Sequence, residues 1–295
     1  MRLAIKVIPH LLIALSCTIS TVFAKRIELV PFSRIQSSLI NESSGIVKSP
    51  NWPDIYWTHN DSGDQARIFA ITKEGYSIYP DWVEGNDPSI RITDAINTDW
   101  EDIATDSKGR IYIGNCGNNS NSRRDLALYV ISEPNPRIHN KTPALKKISF
   151  KFPDQTEFPP VLRNFDCEAL FIRNTTPYFL TKHRSDTFTK LYRLDEQRSD
   201  IVNELTLIDA FDIGGKVTAA DLHSNEELLA VLTNKAIWVF EKPKDSDHFL
   251  STPLRKLGIK AGQCEALCWE SDDSLMITNE EGYIFRIPLS AIPFL

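Results

Sequence analysis

The sequence predicts an all-β protein built from repeated sheets. Three observations support this prediction. A short pattern of three β-runs separated by tight turns recurs five times, no long helical periodicity is visible, and aromatic residues make up 10% of the chain. Units of this kind, repeated around a circle, are typical of a β-propeller. We therefore predict a five-bladed β-propeller.

Each of the five copies starts with a short segment that carries a small or acidic residue and leads into two further β-runs. These starts are residues 44–47, 101–104, 168–171, 219–222 and 265–268. Turn-forming residues lie between the first and second run of every copy. A β-sandwich is the alternative fold, but it would not explain five copies of one pattern.

The two ends of the chain indicate how the ring closes. The last copy has only three clear runs, whereas the apolar run 26–32 precedes the first copy and has no unit of its own. We expect this N-terminal strand to complete the last blade, because that pairing removes an open edge. Six blades are the alternative, because the interval before Glu168 is long and contains the β-run 147–151.

The first 24 residues have the features of a secretory signal. Arg2 and Lys6 form a basic start, residues 11–19 are apolar, and residues 22–24 resemble a leader-peptidase site. We therefore predict a signal peptide over 1–24 and a single propeller domain over 25–295. No later segment has the length of a membrane span. We expect a periplasmic or secreted monomer.

Charge and cysteine content exclude several classes of function. The chain has 33 basic and 39 acidic residues, so binding of a nucleic-acid polymer is not expected. The cysteine spacing gives no zinc signature. Cys264 and Cys268 would lie about 13 Å apart on one strand, which is too far for a disulfide. Cys116 with Cys167 is the pair that we would expect in an oxidising compartment.

The repeat places acids at the centre of the ring, because the first strand of each blade lines the channel of a propeller. Carboxylates gathered there would repel one another unless they were protonated, paired with cations or bound to a metal. Hard oxygen ligands suit Ca²⁺. We predict a Ca²⁺ site at the equivalent positions Ser44, Glu101, Glu168, Thr218 (or Ala220) and Glu265. The alternative is a wide channel in which the three glutamates face water.

Polar residues at the ends of the second strands are expected beside these acids at the channel mouth. The predicted ligand-binding side chains are Asn60, Asp61, Asn115, Asn118, Lys182, Arg184 and Asn279. The cations could hold a phosphate or carboxylate group. Asp99 and Asp166 share a strand face with Glu101 and Glu168, so they are expected to support or complete the ion site.

Three consecutive residues are the candidates for catalysis. Lys182 and Arg184 could stabilise charge on a substrate, and His183 could act as a general acid or base. The alternative is that Arg184 pairs with Asp186 or with the channel acids. The sequence thus leaves the catalytic residues open.

Several runs resemble a group of secreted bacterial β-propellers that have no assigned activity. The runs are TDWEDIA at 98–104, NFDCEAL at 164–170 and TKHRSD at 181–186, and the resemblance extends over nearly all of residues 40–290. More distantly, the Ser44, Glu101, Glu168 and Glu265 pattern is similar to calcium-dependent apyrases, which are five-bladed propellers with a central Ca²⁺. Thr218 matches that pattern loosely and Ala220 departs from it. The apyrase residues that hold the nucleotide have no match here beyond this ring.

Three functions remain open at this point. The first is a secreted propeller with a central Ca²⁺ that binds a small or extended anionic ligand at the channel mouth. The second is a Ca²⁺-dependent hydrolase of phosphate esters or anhydrides, similar to an apyrase or a phytase. The third is a scaffold for protein interactions. No GxSxG, HExxH or Walker motif indicates another chemistry.

Overall fold

The computed structural model describes residues 26–295, so the predicted signal peptide lies outside the described residues. Five β-sheets are arranged as the blades of a ring, which confirms the prediction of a five-bladed β-propeller. No helix of this part of the chain is long and apolar enough to cross a membrane. The helices are single 3₁₀ turns at Glu84–Asn86, Phe249–Ser251 and Leu289–Ala291.

The blades follow one another along the chain. Two short strands, β1 (Ile27–Glu28) and β2 (Ser33–Arg34), precede them. Blade 1 consists of β3 (Ser43–Lys48), β4 (Tyr56–Asn60), β5 (Arg67–Ile71), β6 (Ser77–Ile78) and β7 (Ser89–Ile92). Blade 2 consists of β8 (Ile103–Thr105), β9 (Arg110–Asn115), β10 (Ala127–Ser132) and β12 (Lys146–Lys151). The short strand β11 (Lys141–Thr142), between β10 and β12 in the chain, joins blade 1 instead.

The remaining blades have the same order. Blade 3 consists of β13 (Asp166–Arg173), β14 (Thr176–Lys182), β15 (Phe188–Arg193) and β17 (Thr206–Asp212). The short strand β16 (Val202–Glu204), between β15 and β17 in the chain, joins blade 2 instead. Blade 4 consists of β18 (Val217–Leu222), β19 (Leu228–Thr233), β20 (Ala236–Glu241) and β21 (Pro253–Lys260). Blade 5 consists of β22 (Cys264–Ser271), β23 (Ser274–Asn279) and β24 (Tyr283–Pro288).

The first strand of each blade is innermost. These five strands contact one another in the order β3, β8, β13, β18, β22 and back to β3, which closes a ring around the axis. The run 147–151, which suggested a sixth blade, is part of β12, the outer strand of blade 2. Three outer strands are covered by short parallel strands: β11 on β7, β16 on β12 and β1 on β21. This covering leaves fewer open sheet edges.

The N-terminal segment completes the last blade, as predicted. Ser33 and Arg34 of β2 pair with β24 of blade 5, and the Phe32 amide donates to the Ile284 carbonyl at 2.7 Å. The run 26–32 is divided between two blades, because β1 within it pairs with β21 of blade 4 instead. The chain crosses between the blades at Pro31, which has no amide hydrogen to donate to a strand.

The core consists of apolar clusters that neighbouring blades share. Phe150 of blade 2 packs on Phe179 of blade 3 with ring centroids 4.6 Å apart, and each of the five pairs of adjacent blades has such a cluster. Burying one large apolar side chain stabilises the fold by about 1.5–3 kcal/mol. Because both faces of each sheet are covered, strands such as Ala236–Glu241 are almost entirely apolar.

Asp102 connects three blades at the axis. Its side chain is buried, and Oδ2 accepts hydrogen bonds from the amides of Leu170 in blade 3 (2.9 Å) and Ala220 in blade 4 (3.3 Å). In the same way, Oδ2 of Asp221 in blade 4 accepts the amide of Trp269 in blade 5 at 2.8 Å. Burial raises the pKa of Asp102 well above its usual value and the pKa of Asp221 to about 7.

We expect Asp102→Ala to lower the free energy of unfolding by about 2–5 kcal/mol, because the buried amides of Ile103, Leu170 and Ala220 lose their acceptor. Asp102→Asn keeps one side-chain oxygen, so its loss should be clearly smaller. Urea unfolding of both variants beside the wild type measures the difference. Equal losses for the two variants would contradict the role given to this carboxylate.

We expect Asp221→Asn to change how stability depends on pH. Because the pKa of Asp221 is higher in the folded protein, folding favours the protonated carboxyl, and this stabilisation is lost as the pH rises towards 7. The wild type should lose roughly 2–4 kcal/mol more than Asp221→Asn between about pH 4 and 8. Denaturant titrations at a series of pH values provide the measurement, and parallel profiles for the two proteins would refute the expectation.

Candidate functional site

Irregular pairing in the inner strands directs the predicted ring residues towards one end of the channel. In four blades the register between the first two strands shifts, with Ser44, Glu168, Thr218 and Glu265 as the extra residues. In blade 2, Glu101 lies just before β8 and its amide donates to the Gly114 carbonyl. Such β-bulges turn a side chain away from the regular alternation of a strand.

Four of these residues, all except Thr218, line a cavity of about 190 Å³, which we call the acid cavity. The predicted metal positions that line it are Ser44, Glu101, Glu168 and Glu265, and the predicted ligand-binding residues that line it are Asp61, Lys182 and Arg184. Three further acids line the cavity or lie against it, namely Asp99, Glu42 and Glu280. Acids from four different blades therefore meet at this mouth of the channel.

Thr218 belongs to a different environment. It does not line the acid cavity, and its hydroxyl donates to the Cys264 carbonyl of the next blade at 3.0 Å. The Ser44 hydroxyl makes an equivalent bond to the Glu101 carbonyl at 2.8 Å. These hydroxyls connect the inner strands of neighbouring blades. The role of Thr218 as a metal ligand stays a prediction, and its side chain lies outside the acid cavity. Ala220, the alternative position, contributes its amide to Asp102.

The predicted cations are already paired with acids. Lys182 Nζ lies 2.9 Å from Glu168 Oε2, and Arg184 contacts Asp166 Oδ2 at 2.5 Å and Glu168 Oε1 at 3.5 Å. Burial alone would lower the pKa of Lys182, but the charges of Glu168 and Glu265 outweigh it and raise this pKa. The alternative in which Arg184 pairs with channel acids is thus the one that the structure shows.

His183 does not face the acid cavity. It is buried on the other side of its strand end, and its Nδ1 lies 2.7 Å from Asp186 Oδ1. Burial lowers the pKa of His183, and Asp186 opposes this shift. Alternation along the chain turns His183 away from Lys182 and Arg184, and its role as a general acid or base stays a prediction that the geometry of the acid cavity does not support.

The predicted asparagines hold the loops that lead into the inner strands. The side-chain oxygen of Asn60 accepts the amides of residues 41 and 42, and that of Asn115 accepts the amides of residues 98 and 99. Asn279 donates to the Ala261 carbonyl, and Asn118 donates to the Phe165 carbonyl. None of the four lines the acid cavity, whereas the neighbouring Asn119 does. Their predicted role in ligand binding stays a prediction, while their observed bonds hold loops of the chain.

Within the described residues, Glu101 is the buried acid whose negative charge has no partner in contact with it. Its side chain is 5% exposed, and no hydrogen-bond donor or cation among residues 26–295 contacts its carboxylate. Burial and the charges of Glu168, Asp61, Asp166 and Asp99 raise its pKa well above the usual value. Burial and the charge of Asp61 likewise raise the pKa of Asp99 to about 6.

Gly117 makes this gathering of acids possible. A Cβ atom at Gly117 would overlap Glu101 Oε1 and the Asp99 carboxylate. Arg123 approaches the same loop, donating to the Gly117 carbonyl at 2.6 Å while remaining 4.0 Å from Asp99 Oδ2. Two asparagines of this loop were predicted at the channel mouth. The part played by Gly117 was not predicted, because it depends on the close approach of Glu101 and Asp99 in the folded chain.

Two groups of oxygens in this region could hold a metal ion. Asp61, Asp99 and Glu101 form one group, and Glu101, Asp166 and Glu168 form the other. In each group, one carboxylate oxygen from every residue lies within 4.8 Å of those of the other two. Glu265 belongs to neither group, although it lines the same cavity. The two groups share Glu101 of blade 2, which is therefore the acid common to both candidate metal positions.

Cys116 and Cys167 lie close together behind these acids. Both are buried free thiols, and Cys116 Sγ lies 3.5 Å from the Cys167 carbonyl oxygen. Burial raises the pKa of both thiols. The disulfide between them stays a prediction for an oxidising compartment.

The comparisons with known proteins add similarity of fold at low identity. No protein-family model and no curated protein matches the chain. Among solved structures, U3-55K aligns with 11% identity and a TM-score of 0.41 over 87% of this chain, which spans 64% of that protein. Hydrazine synthase of Kuenenia stuttgartiensis has 8% identity and a TM-score of 0.45, covering 83% of this chain and 71% of its own.

A third structure, luciferin-regenerating enzyme, has 13% identity and a TM-score of 0.45, covering 86% of this chain and 80% of its own. At identities and TM-scores this low, none of the three indicates a substrate or a reaction for this chain. The residues of the acid cavity therefore carry the functional argument alone.

Proposed function

We propose that this propeller binds Ca²⁺ at Asp61, Asp99 and Glu101 and, through the ion, an anionic ligand at the channel mouth. The buried Glu101 carboxylate carries the proposal. An ionised carboxylate that is removed from water without a partner is strongly destabilising, and a bound divalent cation would supply that partner. The protein would otherwise have to keep this side chain protonated.

The donor set fits Ca²⁺. Calcium binds six to eight oxygen ligands at about 2.3–2.6 Å and accepts irregular geometry. Oxygens that lie within 4.8 Å of one another can all reach one such ion. The acid cavity leaves room beside them for waters or ligand oxygens, because it opens to solvent at the mouth of the channel.

Charge favours this group over the second one. Lys182 and Arg184 already neutralise Glu168 and Asp166, so an ion between those acids would have to compete with two cations. Asp61, Asp99 and Glu101 have only Arg123, at 4.0 Å from Asp99, within ion-pair distance among the described residues. The proposed ion thus takes the place where negative charge is least compensated.

An anionic ligand bound to the ion would meet Lys182 and Arg184, which line the same cavity. The small volume admits one phosphate or carboxylate group of a ligand whose remainder would extend from the mouth. A leader of the kind predicted for residues 1–24 would carry the protein out of the cytoplasm. There, a weak Ca²⁺ site with a dissociation constant of roughly 0.1–1 mM would be loaded.

We expect Ca²⁺ at about 100 times its dissociation constant to raise the melting temperature of the protein by about 5 °C or more. Glu101→Gln should abolish this rise, because it replaces a charged oxygen ligand with a neutral amide. Thermal unfolding with Ca²⁺, Mg²⁺ or chelator measures the effect, and titration calorimetry measures the binding itself.

The matched control is Glu84→Gln, which changes an exposed acid in a 3₁₀ turn of blade 1, far from the inner strands. It should keep the full response to Ca²⁺. A wild type that shows no response to any divalent cation would overturn the proposed ion, and so would a Glu101→Gln variant that responds as the wild type does.

A second candidate function is Ca²⁺-dependent hydrolysis of phosphate esters or anhydrides. The presence of Lys182 and Arg184 in the same cavity as the acids favours it, because a phosphoryl group needs positive charge on several oxygens. The ion would supply further positive charge to polarise that group. Lys182 and Arg184 would orient the group and stabilise the charge that develops on it.

If this second function is correct, purified protein should release phosphate from a panel of nucleotides and phytate with Ca²⁺ and not with chelator. Glu101→Gln should lower the rate at least about 100-fold. Release that survives chelation would contradict the metal-dependent reaction. Intact Ca²⁺ binding without release from any substrate would eliminate the hydrolase and leave the binding function.

A further inference from the structure

The opposite end of the channel holds a second, larger cavity. We call it the lower cavity. Its volume is about 300 Å³, and residues from all five blades line it. It is separate from the acid cavity because the two lie at opposite ends of the same inner strands. Ser44 and Glu265 line the acid cavity, whereas Val47 and Trp269 of the same two strands line the lower one. Asp102 and its bonded amides lie between them.

His223 presents a buried donor to the lower cavity. The side chain is 6% exposed, and Nδ1 accepts the amide of Asn225 at 3.2 Å, so the ring proton of the neutral imidazole lies on Nε2. Nε2 has no hydrogen-bond partner in the described part of the chain. The carboxylate of Asp272, 3.5 Å away, lacks hydrogen-bond geometry and is 92% exposed.

Lys48 adds a positive charge to the same cavity. Its ammonium donates to the Glu270 main-chain carbonyl at 2.5 Å, and no carboxylate of residues 26–295 lies within ion-pair distance of it. The acids of this cavity are mostly bound elsewhere. Asp106 binds Arg110 at 2.5 Å, and Glu226 binds Arg173 at 3.2 Å. Among the residues that line this cavity, Lys48 supplies a positive charge and His223 a buried donor without a partner, and together they could bind an anion.

The apolar residues of the lining lie together with Trp269, while serine, threonine and asparagine side chains make up much of the remainder. Trp269 packs edge-on against the His223 ring with centroids 4.7 Å apart, and it continues into an apolar wall of Val47, Pro50, Ile172 and Leu222. Cavities of about this size bind small organic molecules, with apolar walls for the body and a few polar groups for orientation.

We propose that the lower cavity is a second ligand site, which binds a small organic carboxylate with an apolar body. The carboxylate accepts hydrogen bonds from His223 Nε2 and Lys48 Nζ, and the apolar body packs against Trp269 and Leu222. Asp221 lies on the same wall with its Oδ2 bonded to the Trp269 amide. The charge of Asp221 repels the carboxylate of the ligand, so this residue lowers the affinity of the site for that ligand.

Benzoate is the probe for this site, with benzamide as its neutral isostere and benzylamine as its cationic counterpart. Binding is measured by titration calorimetry and by the NMR shifts of the indole NH groups. We expect Lys48→Gln and His223→Gln each to weaken benzoate binding by about tenfold or more. Asp221→Asn should strengthen it, and Lys48→Arg should retain it.

Two matched controls distinguish local from general effects. Lys73→Gln removes an exposed lysine of blade 1, and His139→Gln removes an exposed histidine whose Nδ1 also accepts a main-chain amide. Both should bind benzoate as the wild type does. The Lys48→Gln and His223→Gln variants should keep the wild-type response to Ca²⁺, because that response arises at the other end of the channel.

Three results would overturn the proposal. The first is the absence of benzoate binding to the wild type at roughly 10 mM. The second is benzamide or benzylamine binding as tightly as benzoate, which would exclude recognition of a carboxylate. The third is benzoate binding that Lys48→Gln and His223→Gln leave unchanged, which would place the benzoate elsewhere. A failure of the Ca²⁺ proposal would not affect any of these measurements.

Discussion

The structure depends on how main-chain amides at the axis are satisfied. Asp102 provides one carboxylate oxygen for amides of blades 3 and 4, and Asp221 does the same for blade 5. Buried amides without acceptors would destabilise the ring where its inner strands converge. With those bonds made, the bulges are fixed, and the side chains that they redirect reach the mouth of the channel. Glu101 and Asp102 are neighbours in sequence, yet one faces the acid cavity and the other holds blades together.

The repeat made the fold predictable, because each blade is covered on both faces and its strands are therefore nearly continuous apolar runs. The inner-strand acids were predictable for the same reason, since the same position of each repeat lies at the same level of the channel in every blade. Closure by the N-terminal segment followed from a strand without a blade. The exact pairing did not follow, because Pro31 divides that segment between blades 4 and 5.

The site was less predictable than the fold, because its chemistry depends on which side chains pair. Asp166 lies opposite Lys182 in the sheet, and this register lets Lys182 and Arg184 neutralise Glu168 and Asp166. A list of acids and bases does not contain that information. The asparagines illustrate a related limit, since an amide side chain binds a loop as well as it binds a ligand, and the residue type does not tell the two apart. The lower cavity has no motif, because its groups are scattered among five blades.

The pairing of β2 with β24 has a consequence for the order in which the protein is made. Ser33 leaves the ribosome long before Ile284, so the two halves of this seam cannot meet until synthesis is almost finished. Contacts of such long sequence separation form slowly. Until these contacts form, β24 of blade 5 has an exposed edge and β2 has no partner. The nascent chain is therefore exposed to aggregation and proteolysis at this seam. An exported chain would form the pairing of β2 with β24 only after it had crossed the membrane.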